Sequence, residues 1–237
     1  VIESLSNKRV KDWCRLKLKK YRDSSFLLKD KGLLCLSKEK GLLQELIYCD
    51  ELPFEFHNAY RVSKEVMYKI AEEDMAYIGV CKRLEKKEIA GDKILILDRL
   101  QDPLNVGTLC FNAFKFGFKT IILAKGSADI YHEKCLEAAK ESLFELNIFY
   151  ADLNEEISKL KAEGYQICAT GLNDYSIFLD ELEIPDKCAL IMGNEGSGVS
   201  EELFKLSDQI IKIRMDNIDS LNVAMAGGIL MHYLTNK

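Results

Sequence analysis

From residue 93 to residue 234, strand-length apolar runs alternate with longer stretches whose apolar positions recur at helical spacing. The runs are KILILD, TIILA, NIFYA, QICAT, CALIM and QIIKI. Between and after them stand NVGTLCFNAFKFG, YHEKCLEAAKESLF, NEEISKLKAEG, SEELFKL and SLNVAMAGGILMHYL. A strand apolar at nearly every position is buried on both faces, and alternation with helices supplies the cover. The pattern predicts an α/β domain with a mostly parallel sheet. Ligands of such sheets bind outside the carboxyl ends of the strands, so the loops after ILILD, QICAT, ALIM and IIKI are the ones that carry chemistry.

The first third of the chain reads differently. FLLKDKGLLCLSKEKGLLQELIYCDEL alternates apolar runs with short Gly or charged turns, VSKEVMYKIAEE predicts a helix capped by Ser63, and AYIGVCKR predicts a closing strand. The charged segment LEKKEIAGDK predicts a linker near residues 84 to 92. Two domains are expected, a smaller α/β domain over residues 1–90 and the parallel-sheet domain over residues 91–237.

Composition narrows the partners. Among 237 residues the net charge is −5, so any attraction to nucleic acid must be local. The one basic concentration is Lys8, Arg9, Lys11, Arg15, Lys17, Lys19, Lys20 and Arg22, set against Asp12 and punctuated by Trp13 and Tyr21. It reads either as a solvated amphipathic helix with the apolar stripe Val10, Trp13, Cys14 and Leu18 or as an RNA-binding one. The eight cysteines are scattered singly with no C-x-x-C pair, and the three histidines lie far apart, which predicts buried free thiols and no metal. No apolar run is long enough to span a bilayer, and VIESLSNKRVKDW lacks the apolar core of a secretory signal. A cytoplasmic protein with no membrane partner is expected.

Three loops hold the candidate chemistry. In ALIMGNEGSGVSEEL, Gly193, Asn194, Glu195, Gly196, Ser197 and Gly198 follow a buried strand and precede a helix, a site of close backbone approach. The spacing fits neither the dinucleotide fingerprint nor the P-loop, and Glu195, Glu201 and Glu202 would repel a pyrophosphate. A nucleoside carrying an amine or sulfonium suits it better; taken alone, the loop also reads as a plain Gly-rich turn. In IRMDNIDSLNVAMAGGILMHYL, Asp219 or Ser220 is expected at a helix N-cap with Asn222 in the first turn. Ala224, Gly227 and Gly228 follow at helical spacing, and glycine inside a helix costs about 1 kcal/mol relative to alanine, so close packing is predicted there. The third loop, QDPLNVGTLCFNAFKFG, brings Asp102, Asn105 and Gly107 to the mouth of a site and then presents Phe111.

In this order and spacing, LDRLQDPLNVGTL, MGNEGSG and IRMDNIDSLNVA resemble the three motifs of the SpoU/TrmH family of RNA ribose methyltransferases, within the SPOUT superfamily, over roughly residues 93–234. The N-terminal part is similar to the small substrate-binding domain that many members carry. The resemblance implies a trefoil-knotted domain, a homodimer with sites at the subunit interface, S-adenosylmethionine as cofactor, and 2′-O-methylation of a ribose in rRNA or tRNA. It places the cofactor on Thr170, Gly171, Met192, Gly193, Gly196, Ile213, Met215 and Leu221. It assigns Asn105, Glu195, Ser220 and Asn222 to the catalytic polar set, and RNA contacts are expected from Lys8, Arg9, Arg15, Lys19 and Lys20. The family's first motif, N-x-G-x-x-x-R, calls for a catalytic arginine where this chain has Phe111. A phenyl ring accepts no proton, and general-base assistance is typically worth about 10² to 10⁴ in rate. Three readings follow: an active methyltransferase in which Arg99, Lys115 or a partner-subunit group replaces the arginine, a catalytically inactive RNA- or cofactor-binding homologue, or a knot that methylates a different acceptor.

Overall fold

The computed structural model describes residues 1–216 and 221–236. The chain divides into two compact units, Val1–Glu85 with Tyr131–Glu137, and Lys86–Ile130 with Ala138–Lys237.

In the first unit, helix α1 (Lys8–Arg15) is followed by β1 (Ser25–Leu28), α2 (Lys31–Glu39), β2 (Leu43–Tyr48), β3 (Ala59–Arg61), α3 (Lys64–Ala71) and β4 (Tyr77–Lys82). The strands form one sheet in the order β1-β4-β2-β3, antiparallel except for the β2–β3 pair. Ser63 caps α3, its hydroxyl accepting from the Val66 N–H at 3.3 Å. Val10 and Trp13 of α1, Val66, Met67 and Ile70 of α3, and Ile47 and Ile78 of the sheet share one core.

The basic segment is not the single amphipathic helix that its stripe predicts. Helix α1 stops at Arg15, Leu18 is 54% exposed, and Lys19–Tyr21 make a separate 3₁₀ turn. The guanidinium of Arg22, itself buried, donates to the carbonyls of Leu16 and Lys17 just past the helix end. Those groups need partners once intrahelical bonding stops, and the chain turns to supply them.

The second unit runs β5 (Lys93–Leu97), α4 (Pro103–Lys115), β6 (Thr120–Ala124), α5 (Glu133–Ala139, shared in part with the first unit), α6 (Ser142–Glu145), β7 (Asn147–Ala151), α7 (Leu153–Ala162), β8 (Gln166–Thr170), β9 (Ile177–Phe178), β10 (Cys188–Met192), α8 (Glu201–Leu206), β11 (Gln209–Lys212) and α9 (Val223–Thr235). Its seven strands are all parallel, in the order β7-β6-β5-β10-β8-β11-β9. Ile94, Ile96, Ile122, Ile167 and Ile191 meet Ile157 and Leu160 of α7 and Leu203 of α8. Their neighbours Leu95, Leu97, Ile121 and Leu190 are equally buried on the opposite face, which is why these strands read as continuous apolar runs. Six thiols are buried and Cys14 and Cys35 are partly so; burial pushes those of Cys81 and Cys110 up to about 12. Among the described residues no helix is long and apolar enough to cross a membrane.

Two local features depart from the sequence pattern. The stretch expected as one helix, YHEKCLEAAKESLF, is broken into α5 and α6 at Lys140, whose φ of 51° lies in the left-handed region. Strand β9, two residues long, adds an unforeseen edge beside β11. What positions the site is the sheet order: β5, β10, β8 and β11 lie side by side, so the loops after all four open at one end.

Candidate active site

At that end lies a cavity of about 610 Å³, bordered by the ends of β8, β10 and β11, the Gly193–Gly198 loop and the first turns of α9. All eight residues that the motif resemblance places on the cofactor border it, as do Glu195 and Asn222. The Gly193–Gly198 loop closes on itself: Asn194 and Gly198 exchange two backbone hydrogen bonds of 3.0 and 2.9 Å. The Asn194 Oδ1 accepts from the N–H groups of Gly196 and Ser197, both at 3.0 Å, and its Nδ2 donates to the Arg99 carbonyl at 2.8 Å. At Gly193 a Cβ would lie 2.2 Å from backbone atoms of both Gly198 and Val199, so only glycine fits this turn.

A relay of amides runs from α9 to this loop. Asn222, and neither Asp219 nor Ser220, is the N-cap of α9: its Oδ1 accepts from the N–H groups of Ala224 at 2.9 Å and Met225 at 3.3 Å. Asp219 and Ser220 lie outside the described residues. The expectation of a cap two or three residues earlier is corrected by this geometry, in which the asparagine oxygen reaches two otherwise unpaired N–H groups. With its oxygen committed to the helix, Asn222 can only donate outward, and its Nδ2 meets the Asn105 Oδ1 at 3.1 Å. Asn105 is then a donor in turn, its Nδ2 meeting the Glu195 Oε1 at 3.2 Å. The cap on one helix thereby sets the direction of every bond up to the carboxylate.

Glu195 also accepts from the N–H groups of Gln101 at 3.1 Å and Asp102 at 3.2 Å, at the positive N-terminal end of α4. Burial works against its charged form. The backbone N–H of Glu195 itself, those of Gln101 and Asp102 and the Asn105 amide together outweigh that and hold the carboxyl below the usual carboxylate value. The cavity wall therefore carries a fixed negative charge. Asp102, expected from the sequence at the mouth of the site, does not border the cavity; its carboxylate caps α4 through the Leu104 N–H at 2.9 Å.

Two residues of this end were not singled out as functional from the sequence. Asp98, almost fully buried at the end of β5, accepts from the Ser200 N–H at 2.8 Å and grips Arg99 through Nε at 2.8 Å and Nη2 at 3.2 Å. An aspartate ending an otherwise apolar strand was the available signal. Lys212, ending β11 on the cavity rim, was hidden in an apolar run.

The arginine and lysine weighed as replacements for a catalytic arginine are both engaged. The hydrogen bonds and charge of Asp98 raise the pKa of Arg99, which removes it further from accepting a proton at neutral pH. Arg99 also sits at φ 57°, in the left-handed region. Lys115 pairs with Glu141 at 2.9 Å. Phe111 does not border the cavity. It is half-buried on α4, with the ammonium of Lys115 at 5.0 Å and that of Lys140 at 5.6 Å from its ring centre. Lys140 faces this ring from the residue at which the expected helix breaks.

In the first unit, Lys8, Arg9, Arg15, Lys19 and Lys20 are all exposed. Arg9 is paired with Glu45 at 2.8 Å and stacked on Tyr60, and Arg15 is paired with Asp12 at 3.1 Å.

Residues 92–232 match the SpoU rRNA Methylase family, and the chain belongs to it. Over 98% of both chains it is 32% identical to the 23S rRNA (guanosine(2553)-2′-O)-methyltransferase RlmP of Bacillus subtilis. Among solved structures it superposes on an AdoMet-bound rRNA methyltransferase from Sinorhizobium meliloti with a TM-score of 0.88 and 27% identity, covering 98% of this chain and 96% of that one. The fold is also that of the SpoU methyltransferase AviRb from Streptomyces viridochromogenes, solved with AdoMet, at a TM-score of 0.85, 20% identity and 97% of each chain.

Proposed function

We propose that this chain transfers the methyl group of S-adenosylmethionine to a ribose 2′-hydroxyl of RNA, with ribosomal RNA as the substrate class. The observation that carries the reading is the meeting of two motif loops, Gly193–Gly198 and the segment leading into α9, at one cavity, with the third loop bonded through Gln101, Asp102 and Asn105 to the ionised Glu195 in its wall. Its volume suits a nucleoside-sized ligand. Bound there, the cofactor supplies an electrophilic methyl group on a positively charged sulfur. Ile213, Met215 and Leu221 offer apolar surface for a base, the glycine loop offers backbone groups, and the carboxylate suits a cation.

The chain's own part is orientation and charge. Asn105, Glu195 and Asn222, with Ser220, are the polar groups we assign to catalysis. The relay from Asn222 holds the Asn105 amide in one direction, so that it need not reorganise when the acceptor arrives. Phe111 takes no proton, and Arg99, held by Asp98, stays charged, so these two contribute surroundings and positive charge rather than a base. Exposed Lys8, Arg9, Arg15, Lys19 and Lys20 of the first unit are assigned to RNA phosphates, and that unit to substrate binding. Leu104, Met225 and Ile229 are 51%, 61% and 43% exposed on α4 and α9; we assign this apolar surface to a two-fold homodimer contact. The family's trefoil knot and a cytoplasmic location complete the proposal.

The test is transfer of labelled methyl from S-adenosylmethionine to deproteinised 23S rRNA from cells lacking this protein, followed by nucleoside analysis. Recovery of one 2′-O-methylnucleoside is expected. No label in RNA from a folded protein that binds the cofactor would leave an inactive homologue as the reading.

A further inference from the structure

The most exposed aromatic ring among the described residues stands in a turn that begins at the cavity's rim. Tyr175 is 87% exposed, in a turn between β8 and β9 whose earlier residues, Gly171, Leu172 and Asn173, border the cavity. A ring that size gains by burial, so its presentation to water calls for a reason. The turn is internally bonded: the Ser176 hydroxyl donates to the Gly171 carbonyl at 2.7 Å and accepts from the Asn173 N–H at 3.1 Å, and the Asn173 Oδ1 accepts from the Tyr175 N–H at 3.1 Å. The ring is thus carried on backbone that is already ordered.

The strand that follows adds a second aromatic and a cation. Phe178 of β9 pairs in register with Lys212 of β11, whose ammonium lies 4.8 Å from the Phe178 ring centre. Lys212 makes no ion pair among the described residues. Arg214 stacks on the same ring at 3.7 Å and binds Asp180 and Glu181 at 3.3 and 3.2 Å, which offsets one of their two negative charges. Asp174, beside Tyr175, makes no ion pair among the described residues. That tip therefore favours the flat face of a base over a phosphate, while Lys212 offers the positive point a phosphate needs.

We propose that Tyr175 is a stacking platform for an unpaired base of the substrate RNA, flanking the nucleotide that is methylated, with Lys212 holding an adjoining phosphate. The inference rests on the methyltransferase reading for the word substrate; the contact itself is measured by binding alone. Aromatic side chains carry single-stranded bases in this way, and loss of one such ring weakens binding by roughly 5- to 150-fold.

The experiment is filter binding of transcribed 23S rRNA to the full chain, with calorimetry of S-adenosylmethionine binding as the control. Tyr175→Ala is expected to weaken RNA binding at least fivefold, Tyr175→Phe to restore it to within twofold, and both to bind the cofactor as wild type does. Lys212→Gln is expected to lower the salt slope of binding by about one ion. Unchanged RNA affinity in Tyr175→Ala with cofactor binding intact overturns the proposal, as does a loss that Phe fails to restore. If wild type binds RNA through Tyr175 yet transfers no methyl group, the platform stands and the catalytic reading falls.

Discussion

Replacing Gly193 by alanine isolates what the glycine loop contributes. The added Cβ would stand 2.2 Å from the Gly198 carbonyl carbon and the Val199 nitrogen, where ordinary contact begins at 3.4 Å. Both neighbours are backbone, so no side chain can rotate away, and the far limb of the loop must retreat by about 1.2 Å. That movement breaks the two bonds joining Asn194 to Gly198. At about 0.5–1.5 kcal/mol per bond, and about 1–3 kcal/mol for overpacking, the cost is roughly 2–6 kcal/mol. For a chain of this length, that corresponds to a fall in Tm of roughly 5–20 °C. Gly196→Ala is the internal control, since its Cβ would lie 3.6 Å from the nearest atom, Asn194 Oδ1, at a φ open to any residue. Scanning calorimetry should separate the two, with Gly196→Ala melting within about 3 °C of wild type and Gly193→Ala melting far lower and losing cofactor affinity. Equal melting temperatures for the two variants would refute the close-approach reasoning.

Asn222 separates capping from relay. Asn222→Asp keeps an N-cap acceptor and should hold stability within about 0.5 kcal/mol, whereas Asn222→Ala should lose about 0.5–2 kcal/mol; both remove the donor to Asn105 and should slow methyl transfer more than tenfold. Urea denaturation beside single-turnover transfer checks this, and full activity in Asn222→Asp would remove the relay. Glu195 supplies a pH dependence. Its folded-state pKa is lowered, so its stabilising contribution is whole above the ordinary carboxylate value of about 4.3 and is lost as pH falls through the lowered folded value. Melting temperature measured between pH 7 and 3 should fall less steeply in Glu195→Gln than in wild type, and identical slopes would contradict the hydrogen-bonded carboxylate.

The alternation of apolar runs with amphipathic stretches was enough to read the second unit as a parallel sheet, because a strand buried on both faces shows its environment in every residue. That the eight residues carried over from the motifs border one cavity was likewise legible, since short loops at strand ends leave little freedom about where their backbone lies. Caps and breaks were not. Asp219, Ser220 and Asn222 are all good N-caps by type, and the choice of Asn222 belongs to the packing that brings Asn105 within 3.1 Å of it. Lys140 is an ordinary helix residue by propensity, and its left-handed backbone has no local signature.

What the sequence by itself determined about this protein is the set of groups at the site and the elements that carry them, because periodicity and motif spacing are local properties of the chain. Only the tertiary structure decided how those groups act on one another. The insertion of β10 between β5 and β8 joins segments far apart in sequence, and from it follow the carboxylate of Glu195 at the N-terminus of α4, the bond from the Ser200 N–H to Asp98, and the bond from the Asn105 amide to Glu195. The same sheet order sets Lys212 beside Phe178 at the edge. Pairings of this kind depend on which distant strands come to be neighbours, and no local pattern of residues encodes that.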